Sequence, residues 1–302
     1  MVFDQSSLLL QQLVNGITLG GVYALIAVGY TMVYGVIQLI NFAHGEIYML
    51  AAFVALTLIT QCHIPFFASF FITIGICGCL GVVLDYIAYR PIRKSPRLAA
   101  LITAIGMSIF LQNLALILWG GQIHSFPQDV LPKIFTKIAI NFSDVIVTWL
   151  EVFILCVTVC SMFILHYIIT RTKIGIAMRA ISQDKVTASL MGIPVNRVIS
   201  FTFFIGSALG GVAGILVGIY YNAVFPTMGY VAGIKAFAAA VLGGIGSVPG
   251  AMLGGWVLGI TEVLGAGYFS SEYRDGISYA VMILVILFKP SGLIGKPLPQ
   301  KV

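Results

Sequence analysis

The segment NFAHGE, Asn41 to Glu46, sets a histidine and a carboxylate two residues apart inside an otherwise apolar stretch. Such a pair can relay protons, gate a pore or line a polar path, and Asn41 adds an amide beside it. Ionisable groups at membrane depth are expensive, so His44 and Glu46 should face the protein interior. There they can touch each other, or bond backbone groups freed where the helix breaks around Gly35 and Gly45. A locked helix–helix hydrogen bond is the plainer use of the same residues. Catalysis would need a convergent set, and the chain has neither a G-x-x-x-x-G-K-[ST] loop for nucleotide nor an H-E-x-x-H metal motif. Its five cysteines are an odd number scattered in or beside apolar runs, unlike a disulfide framework or a zinc site. The expectation is a chain that is no enzyme and holds no metal or cofactor of its own.

A second segment with chemistry is RTKIGIAMRAISQDKVTASLMGIPVNRV, residues Arg171–Val198, which carries five basic residues against one acid, Asp184. Ile174, Met178 and Ile181 recur at helical spacing, so the preceding span should continue as an amphipathic helix beyond the membrane surface. Ser182 or Asp184 can cap a second, short helix over Lys185–Met191. Gly192 suits a left-handed stop, and Pro194 prevents continuation. Leu190 and Met191 would then be presented beside the basic Arg179 and Lys185. That surface suits protein docking, and a basic loop touching anionic lipid is the alternative.

The elements that must position these residues are helices in a bilayer. The 302-residue chain is 60% hydrophobic and 9% charged, with mean hydropathy +1.05, too little polar surface for a water-soluble fold. The apolar runs are continuous rather than alternating, which excludes a barrel and leaves an all-α polytopic bundle forming one domain over the whole chain. Spans are expected at about Leu8–Tyr30, Val36–Thr60, Phe66–Tyr89, Leu98–Trp119, Val145–Thr170, Ile199–Tyr221 and Ile277–Phe288. No removable signal peptide is read at the N-terminus. The connection Gly120–Asp144 could be an ordered cap or a flexible loop.

Charge orients the set. Arg90, Arg93, Lys94 and Arg97, the Arg171–Val198 stretch, and Lys289, Lys296 and Lys301 together hold twelve of the sixteen basic residues. By the positive-inside rule these mark the cytoplasmic face, with the N-terminus outside and the C-terminus inside. The same rule accounts for the net charge of +6 without nucleic acid as a partner.

Between the last two spans lies a glycine-rich hairpin, about Val231–Gly265, whose turn Gly243–Gly250 includes Gly244 and Gly246 and bears no charge. Each limb looks shorter than the roughly 20 residues a crossing needs, so two half-length helices entering from outside are expected, for about eight transmembrane helices in all. Lys235 should snorkel toward the outer interface, while Glu262, Asp85 and Glu151 fall near span ends, leaving no second buried acid–base set. Glycines at four-residue spacing, Gly206 to Gly218, Gly250/Gly254 and Gly255/Gly259, allow close helix packing or sliding. The glycine breaks Gly29–Gly45 and Gly243–Gly250 form a pair of interrupted segments that would face one transport path.

Long segments carry a resemblance: NGITLGGVYALIAVGYTMVYGVIQLINFAHGEIYM (Asn15–Met49), AYRPIRKSPRLAALITAIGMSIFLQN (Ala88–Asn113), KAFAAAVLGGIGSVPGAMLGGWVLGI (Lys235–Ile260) and LVILFKPSGLIG (Leu284–Gly295). Nearly end to end, the chain resembles an ABC-transporter permease of the high-affinity branched-chain amino acid uptake system. The resemblance implies a bacterial inner-membrane importer, with ATP bound by two separate ATPase subunits, a second and related permease subunit, and an external periplasmic binding protein. It makes Arg171–Val198 a coupling loop, with Arg179, Asp184, Lys185, Thr187, Ala188, Leu190, Gly192 and Pro194 as its working residues. The wider importer pattern of Glu-Ala-Ala, three residues, then Gly is met only by Ala188 and Gly192, and no role for the glutamate carries over. Apart from the resemblance, the buried polar residues and the glycine breaks point to a pathway past Asn41, His44, Glu46, Gly243, Gly244 and Gly246. A urea or short-amide importer shares much of this pattern, and an autonomous secondary carrier is the alternative from another class.

Overall fold

The computed structural model describes residues 5–39, 41–93, 95–142 and 145–295. The helices are α1 (Gln5–Ile37), α2 (His44–Thr60), α3 (Phe66–Leu84), α4 (Arg97–Trp119), α5 (Trp149–Arg171), α6 (Lys173–Gln183), α7 (Lys185–Leu190), α8 (Val195–Tyr220), α9 (Met228–Gly243), α10 (Val248–Tyr268) and α11 (Arg274–Phe288). A short antiparallel hairpin, β1 (Ile138–Phe142) and β2 (Val145–Thr148), precedes α5. Six of the helices are long and apolar enough to cross a bilayer, while α2 and α9, at 17 and 16 residues, are shorter.

Local sequence sets many of the boundaries. Pro65, Pro96 and Pro194 stand immediately before α3, α4 and α8, where the missing N–H costs nothing. Thr148 starts α5 with a reciprocal cap: its hydroxyl accepts from the Glu151 N–H at 3.3 Å, and the Glu151 carboxylate accepts from the Thr148 N–H at 2.8 Å. At the end of α3 one π-helical turn, Asp85–Tyr89, continues the chain.

Two helices form the core. The most apolar stretches of α1 and α8 are 94% and 83% buried, against 22% for α4 and α5. Ile117, Phe163 and Phe71 on the outer helices are among the exposed apolar side chains left for lipid. Small residues bring the core helices together. A Cβ on Gly20 of α1 would lie 2.8 Å from the Trp256 backbone of α10, and one on Gly211 of α8 would lie 2.9 Å from Cys77 of α3.

Contacts at the helix ends define two poles. At one pole Gln11 of α1 exchanges hydrogen bonds with Ile146 of β2 at 2.8 and 3.2 Å, and Trp119 at the end of α4 donates to Thr57 of α2 at 2.8 Å. At the other pole Lys185 of α7 donates to the Ile37 carbonyl that ends α1, at 2.9 Å. Arg93 reaches Asn196 there at 2.7 Å, and the backbone of Leu293 and Ile294 bonds the last carbonyls of α9 at 2.9 and 3.0 Å. This second pole collects the basic residues Arg90, Arg93, Lys185 and Lys289. We call it the polar pole, and the first the hairpin pole.

α1 to α4 and α8 to α11 repeat one arrangement in opposite senses: a long core helix, a broken connection, a short helix, then two more helices. Each break turns through a left-handed non-glycine residue, Gln38 (φ 58°) after α1 and Asn222 (φ 48°) after α8. The short helices α2 and α9 begin within the bundle and run to opposite poles. Their first turns meet so closely that a Cβ on Gly45 would sit 2.8 Å from the Gly233 Cα.

Several expectations are corrected. The second limb of the hairpin, α10, is a full 21-residue helix, because apolar residues continue beyond Gly265 to Tyr268. Only the first limb, α9, is short. α5 does not continue past the surface: it stops at Arg171, and the Thr172 hydroxyl starts α6 afresh by accepting from the Gly175 N–H at 3.1 Å. The interruption paired with the first break is the segment 221–227, where Asn222 and Pro226 turn the chain, and not Gly243–Gly250, which is the turn of an ordinary helical hairpin. The first break falls at 38–39 and 41–43 rather than at Gly35 or Gly45, both of which are helical. In the connection from Gly120, Phe126 and Phe135 are buried and His124 pairs with Val224.

Candidate transport pathway and coupling surface

Asn41, His44 and Glu46 lie at the start of α2, each 1–2% exposed. They do not bond one another. Asn41 accepts from the Tyr89 hydroxyl at 2.7 Å, and Glu46 accepts from the Ser108 hydroxyl of α4 at 2.9 Å. The His44 ring packs edge-on to Tyr30 at 4.8 Å and lies against Gly29 and Gly210, which leave room for it. A carboxylate in the first turn of α2, facing Gly229 in the first turn of α9, sits where two helix dipoles converge with their positive ends.

Gly243, Gly244 and Gly246 occupy a different place. Their turn stands at the polar pole, where Gly246 borders a groove with Gly35, Val36, Arg179 and Ser182. Gly244 (φ +107°) and Gly246 (φ +92°) turn the chain, and Gly243 lies against the Gly250 backbone. Of the two proposed breaks, Gly35 and Gly246 border this one groove at the polar pole, whereas Asn41, His44 and Glu46 are not part of its lining. The hairpin traverses the bundle from one pole to the other.

Arg171–Val198 folds as two helices beneath the bundle. Asp184 caps α7, its carboxylate accepting from the Val186 N–H at 2.8 Å and from the Thr187 hydroxyl. The Thr187 hydroxyl first, and then the backbone N–H groups, hold the Asp184 carboxyl below its ordinary pKa, so the cap stays ionised at neutral pH. Ser182 does not cap; its hydroxyl donates back to the Arg179 carbonyl at 2.7 Å. Gly192 (φ +81°) ends the turn, and Ala188 is buried. Leu190 and Met191 are 83% and 78% exposed, a pair of large apolar side chains in the segment that joins the membrane helices. Lys185 is tied inward to Ile37, and burial, then the neighbouring Arg93, lowers its ammonium pKa.

A polar constellation that the sequence reading missed lies toward the hairpin pole. Glu262 of α10, fully buried, accepts from Tyr23 of α1 at 3.1 Å, Lys235 of α9 at 3.0 Å, and Arg274 and Ser278 of α11 at 2.5 and 3.0 Å. Lys235 also pairs with Asp275 at 2.6 Å, and Arg274 donates to the hydroxyl of Tyr221, just beyond α8, at 2.7 Å. Lys235 is therefore 5% exposed and ion-paired rather than snorkelling. Glu262 is no span-end residue, and a second buried acid–base set does exist. The available signal was that Lys235 and Glu262 both interrupt apolar helices and, at that depth, need partners. At the polar pole Asp85, also fully buried, accepts from Arg93 and from the Ser200 hydroxyl at 2.7 Å, fixing the 85–93 segment to α8.

Two short helices thus meet inside the bundle, with a short capped helix at the polar pole. A family model described as branched-chain amino acid transport system / permease component matches residues 12–286. The chain belongs to this permease family. Among its relatives is the high-affinity branched-chain amino acid transport system permease protein BraD of Pseudomonas aeruginosa, 45% identical over 97% of this chain and 98% of that protein. The corresponding permease protein LivH of Escherichia coli K12 is 46% identical over 99% of both chains. A probable branched-chain amino acid transport permease protein LivH of Methanocaldococcus jannaschii is 28% identical over 90% of this chain and 88% of that one. This permease is accordingly a transport component and not an enzyme.

Proposed function

We propose that this permease is one membrane subunit of an ATP-driven importer that moves branched-chain amino acids into the cytoplasm. The observation that carries the reading is identity of 45–46% over essentially the whole length to permeases named for that transport. Two ATPase subunits bind the nucleotide, a second and related permease completes the membrane part, and an external binding protein delivers the substrate. The protein spans the inner membrane with its polar pole in the cytoplasm, its N-terminus outside and its C-terminus inside. The gathering of basic residues at that pole supports this orientation.

The coupling surface is α7, with Leu190 and Met191 reaching into the ATPase. Arg179 and Asp184 flank and cap it, Thr187 and Ala188 lock it in place, and Gly192 and Pro194 end it. When the ATPases close on ATP, α7 moves. Lys185, holding Ile37, passes that motion to the end of α1 and to the break after it, which leads directly into Asn41, His44 and Glu46. The glycine turn, with Gly243, Gly244 and Gly246 packed beside Gly35 and Arg179, moves with the same pole.

The test is uptake by the reconstituted complex with its own binding protein. ATP-dependent leucine uptake, competed by isoleucine and valine but not by urea, is the expected result. Dominant urea transport would move the chain to the amide-carrying branch. Uptake that followed an ion gradient in the absence of ATP would make it a secondary carrier.

A further inference from the structure

A cavity of about 430 Å³ opens among α1, α2, α8, α9 and α11 toward the hairpin pole, within the range of roughly 300–1,000 Å³ that holds small molecules. Leu19, Val217, Phe225, Met228 and Val231 make most of its wall apolar, while Lys235 and Arg274 enter it from one side. Glu262 pairs with both cations, and Asp275 pairs with Lys235. Met228, next to the Gly229 that faces Glu46, and Tyr48, two residues beyond Glu46, also line it, so the cavity ends where the two short helices meet.

The charges in this network cancel: two cations, two carboxylates. A lone anion or cation entering the site would leave it unbalanced, and a neutral amide would not use the charges. A zwitterion suits it. Its carboxylate can take donors from Lys235 and Arg274, while its ammonium takes the place Lys235 vacates at Asp275, which is the exposed end of the network at 55%. An aliphatic side chain then lies against Leu19, Val217 and Val231. We propose that this cavity is a transit site for the α-amino-acid zwitterion, one that reads the ammonium and carboxylate together and the apolar side chain loosely. The proposal rests on the amino acid reading above and adds to it the residues that hold the substrate within this chain.

The experiment uses the assembled transporter without binding protein, its five native cysteines replaced, and Val231→Cys at the cavity rim, 41% exposed. Labelling by a water-soluble maleimide is followed with leucine, valine, leucinamide, 4-methylpentanoate or urea present. Leucine and valine should slow labelling about tenfold at ten times their Kd, since labelling tracks the free fraction. Leucinamide, 4-methylpentanoate and urea should leave it unchanged, and Asp275→Asn should weaken the protection by leucine. Ala223→Cys serves if the first variant fails to assemble. No slowing by leucine, or equal slowing by urea or leucinamide, overturns the transit site. Leucine uptake by the wild-type complex with binding protein is measured in parallel. Intact uptake without protection refutes this site alone, whereas absent uptake refutes the function on which it rests.

Discussion

Glycine does its work in this permease where two backbones must touch. Gly20 admits α10 so closely that any side chain would strike the Trp256 backbone, while Gly75 of α3 and Gly106 of α4 have nothing within 4 Å of a Cβ. Overpacking a well-filled contact costs about 1–3 kcal/mol, and here the obstacle is backbone, which cannot rotate away. Gly20→Leu should therefore lower the thermal stability of the solubilised protein by at least that much, while Gly75→Leu and Gly106→Leu, which meet nothing and gain helix propensity, should not lower it. Thermal unfolding of the three variants in one detergent checks the contrast. Equal loss in all three would mean that interhelical distance does not govern these positions, since helix propensity favours leucine over glycine.

Among the elements, α7 is the one whose six residues depend most on their connections. A helix this short is unstable alone. It holds its shape through the Asp184 cap, the burial of Ala188 against the bundle, and the Lys185 bond to Ile37. The two kinds of contact separate its roles. Leu190→Glu/Met191→Glu alters only the exposed tip and should abolish capture of the ATPase subunit in a pull-down. Lys185→Met should keep capture and stimulated ATP hydrolysis but cut substrate moved per ATP severalfold, because the tie to α1 is gone. Hydrolysis and uptake measured on the same vesicles distinguish these outcomes. If Lys185→Met lost capture as well, Lys185 would belong to the docking surface and not to the transmission.

For the molecule as a whole, the opposed arrangement of α1–α4 and α8–α11 fixes which loops share a pole. The turn at Ser247 stands with Arg179 and Gly35, so the hairpin crosses the bundle instead of dipping into it. With native cysteines replaced, Ser247→Cys should be labelled from the same side as Ser189→Cys in α7, and Thr136→Cys, before the β hairpin, from the opposite side. Labelling of Ser247→Cys together with Thr136→Cys would reverse the hairpin and break the relation between the two halves.

The fold class was legible in the sequence because a bilayer leaves a continuous apolar run only one choice, the helix. Local chemistry was equally plain in the Asp184 cap, the Gly192 stop and the Pro194 break before α8, since each acts on its immediate neighbours. His44 and Glu46 were recognisable as buried polar groups, but not by their partners, because Ser108 and Tyr30 come from other helices. The same gap hid the Lys235–Glu262–Arg274 network. Residues 27 and 12 positions apart meet only once α9, α10 and α11 have packed, and until then each charge reads as one near a span end. Length and hydropathy decided that the chain enters the membrane. Only the packing of one helix against another decided which of its few charges pair, where the short helices meet, and which cavity the apolar walls enclose.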